Sequence, residues 1–192
     1  MAAKLTEIRW HGRGGQGAKT AALLFGDAAL AEGKYIQAFP EYGPERTGAP
    51  VQSFNRISDE PITIHSQVKT PDVVVVLDPT LIGAVDVTAG LAPDGVMIVN
   101  TNAPASVIRE KLNLNGRKLF TIDASKIARE TIGRDIPNTP MLGALVRVTG
   151  LLSYQTVMED TRKKIEEKFR SKPEVIEGNL KAIERAYNEI AS

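Results

Sequence analysis

The chain of 192 residues contains no cysteine. That absence excludes a disulfide framework, a thiolate nucleophile and a cysteine-ligated iron–sulfur cluster held by this chain itself. Histidine is nearly as scarce. His11 and His65 lie far apart, without carboxylates at metal-ligand spacing, and read as strand-end residues rather than zinc ligands. Neither sign of charge dominates: 24 Lys and Arg stand against 23 Asp and Glu, and the formal net charge is +1. The basic residues are interleaved with acids, so neither nucleic acid nor another polyanion is an expected partner. Long apolar runs are also missing, and nothing approaches the roughly 20 residues of a membrane span. The opening "MAAKLTEIRW" lacks the apolar stretch of a signal peptide, so the expected compartment is the cytoplasm, with no membrane partner.

What remains is the composition of an ordinary globule, 42% hydrophobic and 24% charged. Leu5 to His11 reads as a first strand. From Ala18 to Glu32, Ala18, Ala21, Ala22, Phe25, Ala28 and Ala29 recur at helical spacing, and Gly33 is placed to stop the helix. Tyr35 to Phe39 predicts a short strand. "PEYGPERTGAP", Pro40 to Pro50, holds too much proline and glycine for a helix or central strand and predicts an ordered loop. Val51 to Ser58 and Pro61 to His65 predict two short strands. "DVVVVLD" is a β-branched run without alternation, as expected of a parallel strand covered on both faces. "DGVMIVNTN" and "KLFTIDAS" repeat the theme, with short helices predicted over Ser106 to Leu112 and Ser125 to Ile132.

"NTPMLGALVRVTGLL" predicts an apolar helix starting near Asn138 or Thr139, with Pro140 in its first turn. The tail is charged and helical, interrupted at "SKPE". Its stripe of Ile176, Leu180, Ile183, Tyr187 and Ile190 spans too few heptads for a coiled coil and is expected to pack on its own domain. The reading is α/β: a Rossmann-like three-layer domain over residues 1–157 with a mostly parallel, partly mixed sheet, then a C-terminal helical extension over 158–192, packed on that domain or on a partner chain.

The stretch "GRGGQG", Gly12 to Gly17, lies between the first strand and the first helix. Gly12, Gly14 and Gly17 satisfy the G-x-G-x-x-G pattern of dinucleotide sites in the context that pattern requires. Glu41 stands where a ribose-binding acid belongs, although Pro40 breaks the segment just before it. A Walker A loop is approached but missed, because Ala18 precedes Lys19 and Thr20. That extra residue turns Lys19 by about 100° on the helix. "VVVVLD", ending in Asp78, imitates a Walker B strand. Both motifs share a simpler property: converging backbone N–H groups at a helix N-terminus favour an anion, and Arg13 adds a guanidinium fork. The competing interpretation is that the glycines only permit close strand–helix packing or a flat protein interface.

"RWHGRGGQGAKTAA", "FPEYGPERTGAPVQSFNRIS", "VVVVLDPTL", "DASKIA" and "NTPMLGAL" occur in this order, and "EEKFRSKPEVIEGNLKAIERAY" follows. Together they resemble the gamma subunit of 2-oxoacid:ferredoxin oxidoreductases, in the separate-chain form found in pyruvate synthase. The resemblance implies a multi-chain enzyme converting pyruvate, coenzyme A and oxidised ferredoxin to acetyl-CoA, carbon dioxide and reduced ferredoxin. It implies thiamine diphosphate with magnesium on the alpha and beta chains, and [4Fe-4S] clusters on the beta and delta chains. The gamma chain is left with coenzyme A handling and assembly, no cofactor of its own, and no activity alone. Gly12, Arg13, Gly14, Gly15, Gln16 and Gly17 are then expected to hold a coenzyme A phosphate or shape its passage. Glu41, Tyr42, Glu45 and Arg46 are expected at a subunit contact or beside the shared active site. Where the family pattern carries a second basic residue after Arg46, this chain has Thr47. Two other classes compete: a small NAD-binding oxidoreductase using the glycine loop, and a purely structural assembly subunit.

Overall fold

The computed structural model describes residues 5–41, 48–114, 116–170 and 172–191. Six strands form one sheet: β1 (Thr6–Arg13), β2 (Tyr35–Pro40), β3 (Pro50–Ser58), β4 (Val73–Val76), β5 (Val96–Asn100) and β6 (Lys118–Ile122). Their order is β2-β3-β1-β4-β5-β6. The contacts β1–β4, β4–β5 and β5–β6 are parallel, whereas β3 pairs antiparallel with both β1 and β2. Among the described residues there are six α-helices: α1 (Ala18–Ala31), α2 (Ala105–Leu112), α3 (Ala124–Ile132), α4 (Asn138–Thr149), α5 (Tyr154–Phe169) and α6 (Pro173–Glu189).

The continuous apolar strands produce two cores because successive residues point to opposite faces. Ile8, Trp10, Val73, Val75 and Ile98 face α1, α3, α4 and α6. Val74, Val76, Met97 and Val99 face Ile108 of α2 and the irregular connection carrying Leu81, Val87 and Leu91. This gives the three layers expected of an α/β domain. Buried Trp10 donates from Nε1 to Asn55 Oδ1 at 2.8 Å, and Asn55 Nδ2 donates to the Ala22 carbonyl at 2.9 Å. Those two bonds tie β1, β3 and α1 together and leave neither buried side chain without a partner.

Helix α1 ends as its sequence predicts. Gly33 has φ 73°, its N–H donates to the Leu30 carbonyl, and the Lys34 N–H donates to the Ala29 carbonyl, which satisfies carbonyls the helix leaves free. Helix α4 stops at Gly150 with φ 59°, three residues before Ser153 caps the next helix. The expected boundary at 157/158 falls inside α5. Helix α6 packs on α4 so closely that a β-carbon on Gly143 would meet the Ile183 carbonyl. Ala191 bridges back to Thr121 on the free edge of β6.

The strand predicted over Pro61 to His65 is not formed. The segment makes no strand pairing, although β2 leaves its outer edge free. Its backbone is instead held by side chains: Gln37 Nε2 donates to the Ile64 carbonyl at 2.9 Å, and Arg56 Nη2 to the Ser66 carbonyl.

Candidate functional site at the carboxyl edge of the sheet

After β1 the chain turns toward β2 and β3, whereas β4 leads away to β5 and β6. The crevice outside the carboxyl ends of β1 and β4 is therefore a topological switch point, where open α/β sheets bind ligands. The glycine loop lies there. Gly12 and Arg13 still belong to β1, opposite Val51 and Pro50 of β3. Gly14 to Gly17 make the turn, with φ 100° at Gly15 and 81° at Gly17. Those two values place the left-handed requirement on Gly15 and Gly17, which L side chains resist.

The turn is braced from three directions. Gln16 Oε1 accepts from the Arg13 N–H at 2.7 Å, while Gln16 Nε2 donates to Asp78 Oδ2 at 2.7 Å. The Gly14 N–H donates to the Ala49 carbonyl, and the Gly48 N–H donates to the Gly14 carbonyl. Arg13 reaches across the switch point: Nε and Nη2 donate to Thr80 Oγ1 at 3.1 and 2.9 Å, and Nη1 donates to the Gly48 carbonyl at 3.0 Å. Its Nε also lies 3.3 Å from Asp78 Oδ2. A guanidinium has five N–H donors, and each terminal nitrogen keeps a second N–H beyond the one engaged here. Arg13 is thus both a brace of the loop and a partly exposed cation.

Asp78 is the hub of this network. Burial by itself raises its carboxyl, but bonds from the Thr80 hydroxyl and amide and from Gln16, with the charge of Arg13, hold it below the usual carboxylate range. It is therefore an anion at neutral pH, and it offsets the cation beside it.

Two helix N-termini converge on the loop. Gly17 is the N-cap of α1 and Pro137 that of α4, and neither helix has a side-chain cap. The first-turn amides of α1, at Ala18, Lys19 and Thr20, have no intrahelical acceptor. A β-carbon on Gly17 would sit 2.8 Å from Asn138 Nδ2, so the start of α4 presses directly on the start of α1. The partial positive charges of both helix dipoles fall on the same crevice.

Beneath the loop, on the other face of β1, lies a buried pair. Arg9 Nε donates to His11 Nε2 at 2.9 Å, and Arg9 Nη2 donates to the carbonyls of Val87 and Ala89. Burial and the Arg9 charge lower the His11 imidazole to about 4, so it is neutral and acts as an acceptor. Burial also lowers Arg9, with Asp86 and Glu41 opposing.

The glycine-loop residues thus assemble as one unit, but Asp78, Thr80 and Asn138 were not expected beside it. Asp78 carried a signal, as the polar end of a buried strand. Asn138 carried none, because it arrives from a helix distant in sequence. Glu41 is exposed, and its N–H donates to the Gln52 carbonyl. Tyr42, Glu45 and Arg46 lie outside the described residues. The dinucleotide reading needs Glu41 on the strand adjacent to β1, but antiparallel β3 separates β2 from β1. With strands about 4.8 Å apart, the acid is displaced by a full strand from the ribose position. Farther along the edge, a cleft of about 360 Å³ is lined by Thr101, Asp123, Lys126 and Arg185. Arg185 is bonded there to Glu130 and Glu189. Among the described residues, no cluster of three metal-ligating side chains occurs.

A family model described as pyruvate ferredoxin/flavodoxin oxidoreductase matches residues 7–189. The chain is 51% identical over 190 residues to the pyruvate synthase subunit PorC of Thermotoga maritima, covering 99% of this chain and 97% of that one. It is 50% identical over 185 residues to the pyruvate/ketoisovalerate oxidoreductases common subunit gamma of Thermococcus kodakarensis, covering 96% and 97%. The crystal structure of pyruvate oxidoreductase subunit PORC from Thermotoga maritima superposes with a TM-score of 0.85 at 49% identity, over 98% of both chains.

Proposed function

The chain belongs to the pyruvate ferredoxin/flavodoxin oxidoreductase family, and from that membership we propose that it is the gamma subunit of a pyruvate:ferredoxin oxidoreductase. Within the assembly its alpha, beta and delta partners hold thiamine diphosphate, magnesium and the iron–sulfur clusters, and ferredoxin takes the electrons. The zero cysteine count supports this division, since a cluster needs thiolates this chain does not have.

Its own contribution is to receive coenzyme A. The observation that carries this reading is the convergence of two N-termini without side-chain caps, those of α1 and α4, beside Arg13 at the switch point. Such a crevice suits a phosphate without requiring a lysine. The brace of Arg13, Gln16, Asp78 and Thr80 keeps the loop from having to reorganise when the anion arrives. The 2-oxoacid is chosen elsewhere. Relatives named as a common subunit of pyruvate and ketoisovalerate oxidoreductases serve two substrates with one chain, which supports placing that choice on the partners.

The test is steady-state kinetics of the assembled enzyme carrying Arg13→Ala. A charge-assisted bond worth ~1.5–3 kcal/mol predicts a roughly ten- to hundred-fold rise in KM for coenzyme A. KM for pyruvate and the yield of assembled complex stay as in the wild type. Unchanged coenzyme A kinetics in a normally assembled variant would reduce the loop to a packing device.

A further inference from the structure

Helix α5 packs on α1 and α6 through a buried stripe of Val157, Thr161 and Ile165. Two polar attachments also join it to α1. The Ser153 N–H, at the start of α5, donates to Oε1 of Glu32, the C-cap of α1, at 2.6 Å. Farther along, Lys164 Nζ lies 3.4 Å from Asp27 Oδ2. Asp160 and Lys164 are four residues apart and share one side of α5, each standing one residue before a member of the buried stripe. Asp160 therefore lies at the flank of the seam, on the side where Lys164 meets α1.

The seam leaves Asp160 unsatisfied. Its Oδ2 is buried, and among the described residues no donor reaches it. The hydroxyl of Thr161, next along the helix and fully buried, makes no bond there either. An ionised carboxylate can only accept, and a buried charged oxygen without a donor costs more than a neutral one. The neighbouring charges add to that cost. Asp27 and Asp160 are two carboxylates beside one ammonium, so with both ionised one negative charge is left uncompensated. Burial first, then the charge of Asp27, pushes the Asp160 carboxyl above its ordinary 3.8; Glu167 adds to the push, and Lys164 and Lys163 oppose it. From α6, Glu177 is engaged with Arg162 at 2.6 Å, about 200° round α5 from Asp160.

We propose that the α1–α5 seam is a proton-dependent contact, in which Asp160 holds a proton when α5 is fully seated on α1 and its ionisation loosens that seat. A carboxyl held above its ordinary value takes up a proton on folding. Its contribution is fully present below 3.8 and is lost as pH rises through the folded value. That sense is opposite to the one Asp78 follows, whose carboxyl is held low. With Asp160 ionised, Lys164 is shared between two acids, while Glu32 still holds the start of the helix. The seam then opens more often without α5 detaching, a local opening below the stability of the whole domain.

Asp160→Asn copies the protonated carboxyl in shape and carries no charge. Urea midpoints of the full chain and of this variant are compared at matched pH, so that His11, common to both, cancels. The advantage of the variant is expected to be least at pH 4 and to grow toward pH 8. At pH 8 the α5 backbone amides are expected to exchange more slowly in the variant than in the wild type. The Asp160 carboxyl carbon, followed by NMR in the wild type, is expected to titrate above 3.8. Asp27→Asn, which removes the neighbouring charge, moves that titration to lower pH, and Lys164→Met, which removes the cation, moves it to higher pH. A purely structural Asp160 gives a variant effect independent of pH, and that result overturns the proposal. So does a titration that neither substitution moves, or α5 exchange that is no slower in the variant. Every readout is taken on the chain without coenzyme A, so this seam and the coenzyme A site fail independently.

Discussion

His11 gives the site its clearest acid signature. Its ordinary value of 6.5 falls to about 4 in the folded chain, so between those limits the unfolded chain binds a proton that the folded chain refuses. Above pH 6.5 the residue contributes nothing to the pH dependence. As pH falls from 6.5 toward 4, stability is lost, and below about 4 the loss levels off at about 3 kcal/mol. Asp78 acts in a separate window. Its depressed carboxyl stabilises the fold above its ordinary 3.8 and loses that effect only below it. His11→Gln keeps an acceptor for Arg9, so urea unfolding at pH 7 should change little while the slope between pH 6.5 and 4 flattens. A slope that persists in the variant would assign it to another group. At Gly17, alanine meets two costs: a left-handed backbone, about 1–2 kcal/mol, and contact with Asn138. In a double-mutant cycle, Asn138→Gly should recover the contact cost of Gly17→Ala and leave the backbone cost in place.

Among the elements, α4 and α6 depend on glycine more than their apolar stripes disclose. Gly143 lets α4 approach the Ile183 carbonyl of α6, and Gly178 lets α6 approach the Thr131 carbonyl of α3. Gly143→Val must push those backbones apart, costing about 1–3 kcal/mol or more by overpacking. The expected readout is a lower denaturant midpoint with an unchanged slope, and a midpoint equal to wild type would place the close approach elsewhere. The stripe of Ile176, Leu180 and Ile183 was legible at helical spacing, and these residues are buried. What periodicity omits is the depth of contact, because glycine adds nothing to a hydrophobic pattern. The segment Pro61 to His65 failed for the opposite reason. Its residues suit a strand, but strand propensity expresses the fit to neighbouring side chains and edges, and here Gln37 and Arg56 side chains hold the backbone in place of a ladder.

At the scale of the whole molecule, a chain without cysteine that belongs to a multi-chain oxidoreductase should be catalytically silent alone. The purified chain is expected to give no pyruvate-dependent dye reduction, with or without added thiamine diphosphate, and to acquire activity only on addition of its partners. Turnover by the lone chain near the rate of the complex would contradict the division of labour proposed above.

The sequence by itself determined the class of the fold and the family. Unalternating valine runs require a sheet covered on both faces, glycine after α1 stops that helix, and the missing cysteines exclude a cysteine-ligated cluster on this chain. Local rules suffice for each of these, because propensity, periodicity and composition act within a few residues. Only the tertiary structure decided that antiparallel β3 separates Glu41 from the glycine loop. It also brought Asp78, Thr80 and Asn138 to Arg13, Gln16 and Gly17. Strand order is set by which faces and edges can be buried together, a property of the closed molecule. No spacing along the chain states that α4 begins where α1 begins, and the proposal of an anion site in this crevice rests on that coincidence.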